Sequence, residues 1–365
     1  MKFGAMIAPR ISDWRIACEI ENLGYDAVWV SDSQMLWSDC YATLALVAQH
    51  TSRIQVGTGV TNSLTRVAPV AANAVATINK LAPGRTFIGI GTGFSSMAAM
   101  GQASDKVSAF RDYIRVLRGL LHAEEVLYGP KGQERPIRFL EPDLGFINVE
   151  TPAKIYVAAN GPKALEIAGA YGDGCISAND WMATDGDRIF ADRRAAVREG
   201  AAKSGRLIPE RFSMIGGTFV CILRPGETLK SDRVVDEIGA LTVVGSLHAW
   251  WEIAQKTGNS DHVPNDCRDV WDRYLQRLRN EPIDAERMFQ RIHQGHATYL
   301  HPDEREFVTP EIIRAGGGLV GEPDEIIARI RSYESAGMDE LPIMPALANA
   351  REHFRAFREL VMDRY

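Results

Sequence analysis

Short apolar runs alternate with longer segments of mixed polarity along most of the chain. The runs are rich in β-branched residues and are bounded by Gly, Pro, Asn or Asp, which is typical of strands covered on both faces. We predict strands at residues 2–8, 27–32, 54–60, 86–93, 153–160, 174–179, 212–223 and 341–345. We predict helices at residues 12–22, 41–51, 68–81, 104–122, from 162, within 183–204, around 231–256 and up to 358.

The order of these elements predicts the fold. About eight strand-then-helix units follow one another, which favours a closed barrel over an open doubly wound sheet. The predicted fold class is therefore α/β, a (β/α)8 TIM barrel, as one domain over residues 1–365. Two stretches interrupt the alternation, one at 127–151 and a longer, polar and aromatic one at 258–310. Both are predicted to be insertions in βα loops, where barrel active sites form.

Composition and charge argue against several classes of protein. The chain has 365 residues, 45% hydrophobic and 24% charged, which is ordinary for a globular domain. A net charge of -6 without a basic cluster argues against a nucleic-acid partner. No apolar stretch approaches the roughly 18 residues of a membrane span, and the N-terminus becomes polar too early for a signal peptide. We therefore expect a soluble, cytoplasmic protein.

Cysteines and histidines give no indication of a metal site. The five cysteines lack any Cys-x-x-Cys pair, so neither a disulfide framework nor structural zinc is expected. The spacing of His293 and His296 is too common to imply a metal ligand pair. We expect the cysteines to be small buried hydrophobic groups.

The predicted C-terminal strand ends are rich in glycine and poor in acids and bases. Gly89, Gly91 and Gly93 lack the spacing of a dinucleotide fingerprint. They either let the backbone approach a flat ligand or ease packing inside the barrel. Residues 160–163 stand between a strand and a helix, where free amides suit a phosphate, although ordinary βα turns use the same residues. Asn179 and Asp180 stand at another strand end.

Several segments, taken in order, resemble the luciferase-like superfamily, and most closely its methylenetetrahydromethanopterin reductase branch. They include Thr51-Ser52-Arg53-Ile54-Gln55-Val56-Gly57-Thr58-Gly59-Val60-Thr61-Asn62, Pro83-Gly84-Arg85, Gly89-Ile90-Gly91-Thr92-Gly93, Ala159-Asn160-Gly161-Pro162-Lys163 and Gly321-Glu322-Pro323-Asp324-Glu325. The resemblance extends over roughly residues 1–220 and 317–346. It is poor at 127–151 and 258–310, so the segments expected to shape a substrate pocket match nothing.

The resemblance implies a barrel that binds reduced FMN or the deazaflavin coenzyme F420, with a cis peptide bond between Gly59 and Val60. The cofactor-binding residues that it implies are Asp32, Gly59, Val60, Thr61, Asn62, Gly91, Thr92, Gly93, Asn160, Gly161, Pro162 and Lys163. We expect the substrate pocket to be walled by Arg10, Ser33, Trp37, Phe94, His296 and Tyr299. No residue is assigned as the catalytic acid or base.

One departure from the family pattern bears on the choice of cofactor. Deazaflavin-dependent relatives usually have a histidine directly after the aspartate, whereas this chain has Ser33 and then Gln34. The sequence therefore favours a flavin-dependent monooxygenase, which takes reduced FMN from a separate reductase and uses oxygen to oxidise a small organic substrate. A deazaflavin-dependent reductase or dehydrogenase and a non-catalytic flavin-binding protein remain open. By analogy, the helices at 41–51 and 68–81 could pair two copies into a homodimer or larger homo-oligomer.

Overall fold

The strands and helices alternate along the chain much as the sequence predicts. The computed structural model describes residues 1–177, 186–208 and 212–365, so Asn179 and Asp180 lie outside the described residues. The strands are β1 (Lys2–Ile7), β2 (Ala27–Val30), β3 (Gln55–Asn62), β4 (Thr86–Gly91), β5 (Val126–Tyr128), β6 (Arg135–Ile137), β7 (Lys154–Ala158), β8 (Gly174–Ser177), β9 (Ser213–Gly216), β10 (Thr218–Ile222), β11 (Gly318–Gly321) and β12 (Glu340–Met344). The helices are α1 (Ile16–Asn22), α2 (Cys40–His50), α3 (Ala68–Leu81), α4 (Phe94–Ala98), α5 (Val107–Leu121), α6 (Pro162–Tyr171), α7 (Gly186–Lys203), α8 (Asp232–Val243), α9 (Ala249–Thr257), α10 (Arg268–Arg279), α11 (Met288–His293), α12 (Pro310–Ala315), α13 (Pro323–Ser335) and α14 (Ala350–Leu360).

The parallel strands close into a barrel, which confirms the predicted fold class. The order is β1, β2, β3, β4, β7, β8, β9 and β12, and β12 pairs with β1 to close the ring. The seventh position is shared by β9 and β10, which both pair with β12 and are interrupted at Gly217. An additional strand, β11, pairs in parallel with β10. The sequence analysis did not predict β11, because its four residues include two glycines and show no apolar run.

Aromatic side chains fill the barrel interior. Trp29 packs against Phe87 and Tyr156, with ring centroids 4.3 and 5.8 Å away. A Cβ atom on Gly89 would come within 2.4 Å of the Thr58 carbonyl oxygen and 3.0 Å of the Trp29 ring. The sequence left open whether this glycine serves ligand approach or packing. The contacts support packing, because Gly89 makes room for the ring of Trp29 inside a filled barrel.

The outer helices cover the barrel with apolar faces. In α5, Phe110, Ile114, Leu117 and Leu121 are buried at intervals of three and four residues, which is the spacing of one helix face. All five cysteines are free, and four of them are buried, whereas Cys18 is half-buried. No helix among the described residues is both long and apolar enough to cross a bilayer.

Both interrupting segments contain regular structure of their own. Strands β5 and β6 form an antiparallel hairpin at the first one. This segment connects helix α5 to barrel strand β7, so it is an insertion in an αβ loop and the prediction of a βα loop was wrong there. The second contains α10 and α11, and Trp271 and Tyr274 of α10 are fully buried in a hydrophobic cluster with α8, α9 and α12. Ala8 and Met344, near the C-terminal ends of the barrel strands, belong to the same cluster. The second insertion therefore packs onto the end of the barrel where active sites form.

Candidate active site

An apolar floor lies at the C-terminal mouth of the barrel. Met6, Val60 and Ala158 are partly buried and rest on the aromatic interior. A Cβ atom on Gly91 would lie 3.2 Å from the Cβ of Ala158 and 3.7 Å from Cγ2 of Val60. Because Gly91 has no side chain, nothing projects from the end of β4 over the floor, which suits the close approach of a flat ring.

The backbone of β3 is irregular where it reaches the floor. The peptide bond between Gly59 and Val60 is cis, as the resemblance implies. Thr58 pairs with Ile88 but Thr61 pairs with Ile90, so β3 has one residue more than β4 over this interval. Such a bulge redirects the side chains that follow it. Here the Thr61 hydroxyl faces the carboxylate of Asp32.

Asp32 is a buried carboxylate at the edge of the site, 4% exposed, two residues after the end of β2. Its Oδ2 accepts hydrogen bonds from Thr61 Oγ1 at 2.6 Å and from Arg66 Nη1 at 2.9 Å. Among the described residues, none donates to Oδ1. Burial raises the pKa of Asp32, and the hydrogen bond from Thr61 and the charge of Arg66 oppose that shift.

Arg66 holds Asp32 in place and was not among the predicted site residues. Its second guanidinium nitrogen donates to Asp39 Oδ2 at 2.6 Å, and its Cζ atom lies 4.3 Å from the centre of the Tyr41 ring. The Tyr113 hydroxyl donates to the Arg66 carbonyl at 2.9 Å. Asp39 and Tyr41 belong to the start of α2, so this group ties that helix to the loop after β3. Sequence reasoning missed it because the partners stand 25 to 47 residues from Arg66.

Asn62 and Gly93 shape the loops beside the floor. The side chain of Asn62 accepts hydrogen bonds from the backbone amides of Leu64 and Thr65, both at 2.9 Å, and donates to Ser96 at 3.1 Å. Gly93 precedes α4 with φ of 86°, a conformation that favours glycine. The Thr92 carbonyl accepts a hydrogen bond from the amide of Asp105 at 2.8 Å. These predicted cofactor residues therefore also hold the loops after β3 and β4 together.

The start of α6 offers backbone groups to an anion. Asn160, Gly161, Pro162 and Lys163 are all exposed. No side chain caps the helix at Gly161, and a Cβ atom on Gly161 would meet nothing within 4 Å. The positive end of the helix dipole lies beside the exposed Lys163, an arrangement that fits the phosphate of a cofactor.

The structure brings only some of the predicted pocket residues together. Trp37 donates from Nε1 to Thr298 Oγ1 at 3.3 Å, and its ring lies 6.4 Å from that of His296. Ser33 is buried one turn before Trp37 in the same loop. Arg10 instead lines a cavity between α1 and α14 whose described walls contain none of the other predicted pocket residues.

Phe94 and Tyr299 lie at other positions around the mouth. Phe94 is 45% exposed and has the amino group of Lys256 over its ring, 4.8 Å from the centre. Tyr299 is 49% exposed and lines a cavity with the residues that follow β12. Phe94 and Tyr299 are therefore available to a ligand without contacting Trp37 directly in this structure.

A buried polar network lies beside Trp37 in the second insertion. Glu252 Oε1 is 2.8 Å from His293 Nε2, and His293 Nδ1 is 3.3 Å from His296 Nδ1. His248 Nε2 lies 3.2 Å from Glu304 Oε1. Of these groups only His296 was predicted to belong to the site, because the others come from segments without a recognisable motif. No set of three potential ligands among the described residues is placed to hold a metal ion.

A cavity of about 800 Å³ opens next to this network, a volume within the range of small-molecule sites. It lies between the loop after β2, the end of α4 and the second insertion. Its walls are mostly apolar, with charged and polar groups on the insertion side. They comprise Met35, Leu36, Ala99, Met100, Pro282, Ile283, Asp284, Arg287, Phe289, Gln290, Arg291, His293 and Gln294.

A family model described as luciferase-like monooxygenase matches residues 13–340. The chain belongs to this family. Luciferase-like barrels of known structure cover it almost completely. The coenzyme F420 dependent tetrahydromethanopterin reductase from Methanopyrus kandleri has a TM-score of 0.66 at 18% identity, over 100% of this chain and 99% of that one. A monooxygenase from Streptomyces bottropensis has a TM-score of 0.63 at 17% identity, over the whole of both chains. At such identities these likenesses show the fold.

Curated relatives of this luciferase-like protein are oxidoreductases. It is 29% identical to 5,10-methylenetetrahydromethanopterin reductase from Methanolobus tindarius, over 62% of this chain and 65% of the relative. It is 35% identical to F420-dependent glucose-6-phosphate dehydrogenase from Kineococcus radiotolerans, over 52% and 58%. It is 33% identical to F420-dependent hydroxymycolic acid dehydrogenase from Mycobacterium tuberculosis, over 51% and 52%. The matches thus span between about half and two thirds of each relative's length.

Proposed function

We propose that this protein is a deazaflavin-dependent oxidoreductase, which transfers a hydride between coenzyme F420 and a small organic substrate. The observation that carries the proposal is the Asp32 carboxyl group, buried beside the apolar floor with a raised pKa and with Oδ1 free of hydrogen bonds from the described residues. A buried carboxyl group with a shifted pKa at the end of a barrel strand is typical of a functional site. Two of the curated relatives are named as F420-dependent dehydrogenases, which supports the same choice of coenzyme.

Different parts of the site would bind the ring of the coenzyme, its phosphate and the substrate. When bound, the deazaflavin supplies or accepts the hydride. Val60 and Ala158 would support one face of the ring, and Gly91 would leave room at its edge. The start of α6 with Lys163 would hold the phosphate of the coenzyme. The wall formed by Trp37 and His296 would position the substrate and limit the access of water.

A flavin-dependent monooxygenase is the second candidate function. Ser33 supports it, because it replaces the histidine that usually follows the aspartate in deazaflavin-dependent relatives. Peroxyflavin chemistry depends less on a protein acid or base once water is excluded. In that case the same floor would hold reduced FMN delivered by a separate reductase.

An anaerobic titration separates the two functions. Purified protein is mixed with reduced F420, reduced FMN or reduced FAD, the dissociation constants are measured by absorbance and fluorescence, and air is then admitted. We expect F420 to bind at least about tenfold more tightly than FMN, to be stable in air, and to exchange hydride with members of a panel of alcohols and ketones. Tighter binding of FMN with oxygen consumption would overturn the proposal in favour of the monooxygenase. Tight binding of either coenzyme without turnover would indicate a non-catalytic flavin-binding protein.

A further inference from the structure

The second insertion contributes a chain of three buried side chains to the mouth of the barrel. Glu252 belongs to α9, His293 is the last residue of α11, and His296 lies in the turn that follows. Glu252 Oε1 is 2.8 Å from His293 Nε2, and the two histidines approach each other through their Nδ1 atoms at 3.3 Å. All three are less than 9% exposed. A buried carboxylate that orients a histidine is the usual arrangement for fixing which ring nitrogen carries the proton.

The hydrogen-bond chain assigns the tautomer of each ring. The carboxylate of Glu252 only accepts, and Lys256 Nζ lies 3.8 Å from its Oε2. A neutral His293 that donates from Nε2 to Glu252 accepts at Nδ1. His296 must then donate from its own Nδ1, which leaves Nε2 without a proton. None of the described residues forms a hydrogen bond with His296 Nε2, so its lone pair has no partner among them.

The backbone directs His296 toward the loop that follows β2. Ala297, the next residue, has φ of 51°, a conformation that is unfavourable for alanine and tends to persist where function or packing requires it. Thr298 then accepts the hydrogen bond from Trp37 Nε1. His296 is thereby held beside Trp37. Trp37 lies one turn after Ser33, whose hydroxyl does not ionise at neutral pH and so cannot replace a histidine as acid or base. His293 also lines the cavity of about 800 Å³, so a small molecule entering there reaches the network.

Burial, with two neighbouring histidines, favours the neutral form of the His296 ring. It faces His293, which is backed by Glu252, and His248, which is held by Glu304. His248 ends a short π-helical segment, Val244–His248, a local irregularity that is frequent at functional sites. Arg291 Nη1 lies 3.5 Å from Glu304 Oε1, and its positive charge partly offsets that of the carboxylate. Burial, together with the neighbouring His293 and His248, holds the pKa of His296 well below its ordinary value.

We infer that His296, oriented by His293 and Glu252, is the acid–base residue that exchanges a proton with the substrate. This inference rests on the function proposed above. In the oxidative direction, His296 Nε2 would take the hydroxyl proton of an alcohol, and the bound coenzyme would supply the acceptor for the hydride from the same carbon. In the reductive direction, the ring protonated at Nε2 would return this proton to the carbonyl oxygen, and the coenzyme would supply the hydride. The apolar cavity wall, with Met35, Leu36 and Phe289, fits an alcohol or carbonyl compound with an apolar body.

The first test needs no coenzyme. Histidine labelled with ¹⁵N in the ring is incorporated into the protein and into the variants His296→Gln and Glu252→Gln, and the ring nitrogens are observed by NMR. We expect a His296 signal with a protonated Nδ1 and a bare Nε2, and a pKa below the ordinary value. Glu252→Gln should alter the tautomer populations of both rings. A His296 ring protonated at Nε2 at neutral pH would overturn the inference.

The second test uses the enzyme with coenzyme F420 and an alcohol that the wild type oxidises. His296→Gln should lower kcat on the order of 100-fold or more and abolish the acidic limb of its pH profile, with an unchanged dissociation constant for the coenzyme. Added imidazole should restore part of the rate. His262→Gln is the matched control, because His262 lies in the same insertion and bonds the Trp250 carbonyl outside the network. It should leave kcat unchanged.

The outcomes separate the two proposals. If the wild type exchanges no hydride with F420, the proposed function is wrong and the inference falls with it. If the wild type is active and His296→Gln retains its rate and its acidic limb, the inference alone is wrong. Equal losses in His296→Gln and His262→Gln would also overturn it, because they would reflect a general disturbance of the insertion.

Discussion

At the residue scale, Glu340 is a buried carboxyl group far from the proposed chemistry. It begins β12, and its Oε1 accepts a hydrogen bond from Trp29 Nε1 at 2.9 Å inside the barrel. Burial raises the pKa of Glu340 to about 7, and the hydrogen bond from Trp29 opposes this increase. The folded state therefore binds this proton more tightly than the unfolded state. The stabilisation that the fold gains from binding this proton is complete below about pH 4.5 and is lost as the pH rises through about 7.

Replacing this carboxyl should stabilise the protein only at alkaline pH. Glu340→Gln keeps an acceptor for Trp29 and removes the charge that must be buried above pH 7. We expect the free energy of unfolding to rise by up to roughly 3 kcal/mol at pH 8 and to change little at pH 4.5. Urea denaturation at the two pH values measures this, with the exposed Glu359→Gln as control. An equal change at both pH values would contradict the assigned cause.

At the scale of elements, the start of α6 can be tested without disturbing the fold. Lys163 is exposed in the first turn, where its charge adds to the helix dipole. We expect Lys163→Gln to weaken the binding of coenzyme F420 on the order of 3–10-fold, with a loss that shrinks as salt is added. Lys203→Gln, an exposed lysine in the last turn of α7, removes the same charge elsewhere and should bind the coenzyme normally. Identical affinities for both variants would exclude a phosphate at α6.

Elements with a clear apolar period were predictable from sequence, and elements that depend on distant partners were not. The barrel strands and α2, α3 and α5 were predicted to within a few residues, because their patterns are local. The helix α10 was missed although Val270, Trp271, Tyr274 and Leu278 form a buried helical face, since the surrounding segment reads as polar. The irregular β3 followed from the resemblance, whereas the bulge that aims Thr61 at Asp32 needed the register of β4.

The same limit applies to the site. The resemblance assigned Asp32 and Thr61 to the cofactor site but gave Arg66 no role, and a hydrogen bond across 34 residues leaves no periodic signal. Trp37 and His296 were both predicted, yet their contact joins the loop after β2 to the second insertion across more than 250 residues. The partners of His296 were missed for the same reason, as Glu252 and His293 are 41 residues apart.

At the scale of the whole molecule, the second insertion and the barrel share one hydrophobic cluster. Trp271 is fully buried, its ring contacts Trp250 edge-on at 6.1 Å between centroids, and its Nε1 donates to Ser260 at 3.0 Å. The same cluster reaches Ala8 and Met344 near the ends of β1 and β12. Since the histidine network lies on this insertion, its geometry relative to Asp32 depends on that shared packing.

We therefore expect the insertion and the barrel to unfold together, as the single domain predicted from the sequence requires. Trp271→Ala should lower the free energy of unfolding by roughly 3–5 kcal/mol, because a large cavity would form in the shared cluster. Urea transitions followed by far-UV circular dichroism and by tryptophan fluorescence should move together. Leu207→Ala, at a side chain 93% exposed, should change stability by less than about 0.5 kcal/mol. If instead the fluorescence transition moves alone, the insertion is a separate folding unit, and the position of His296 over the barrel is then set by a weaker contact between two domains.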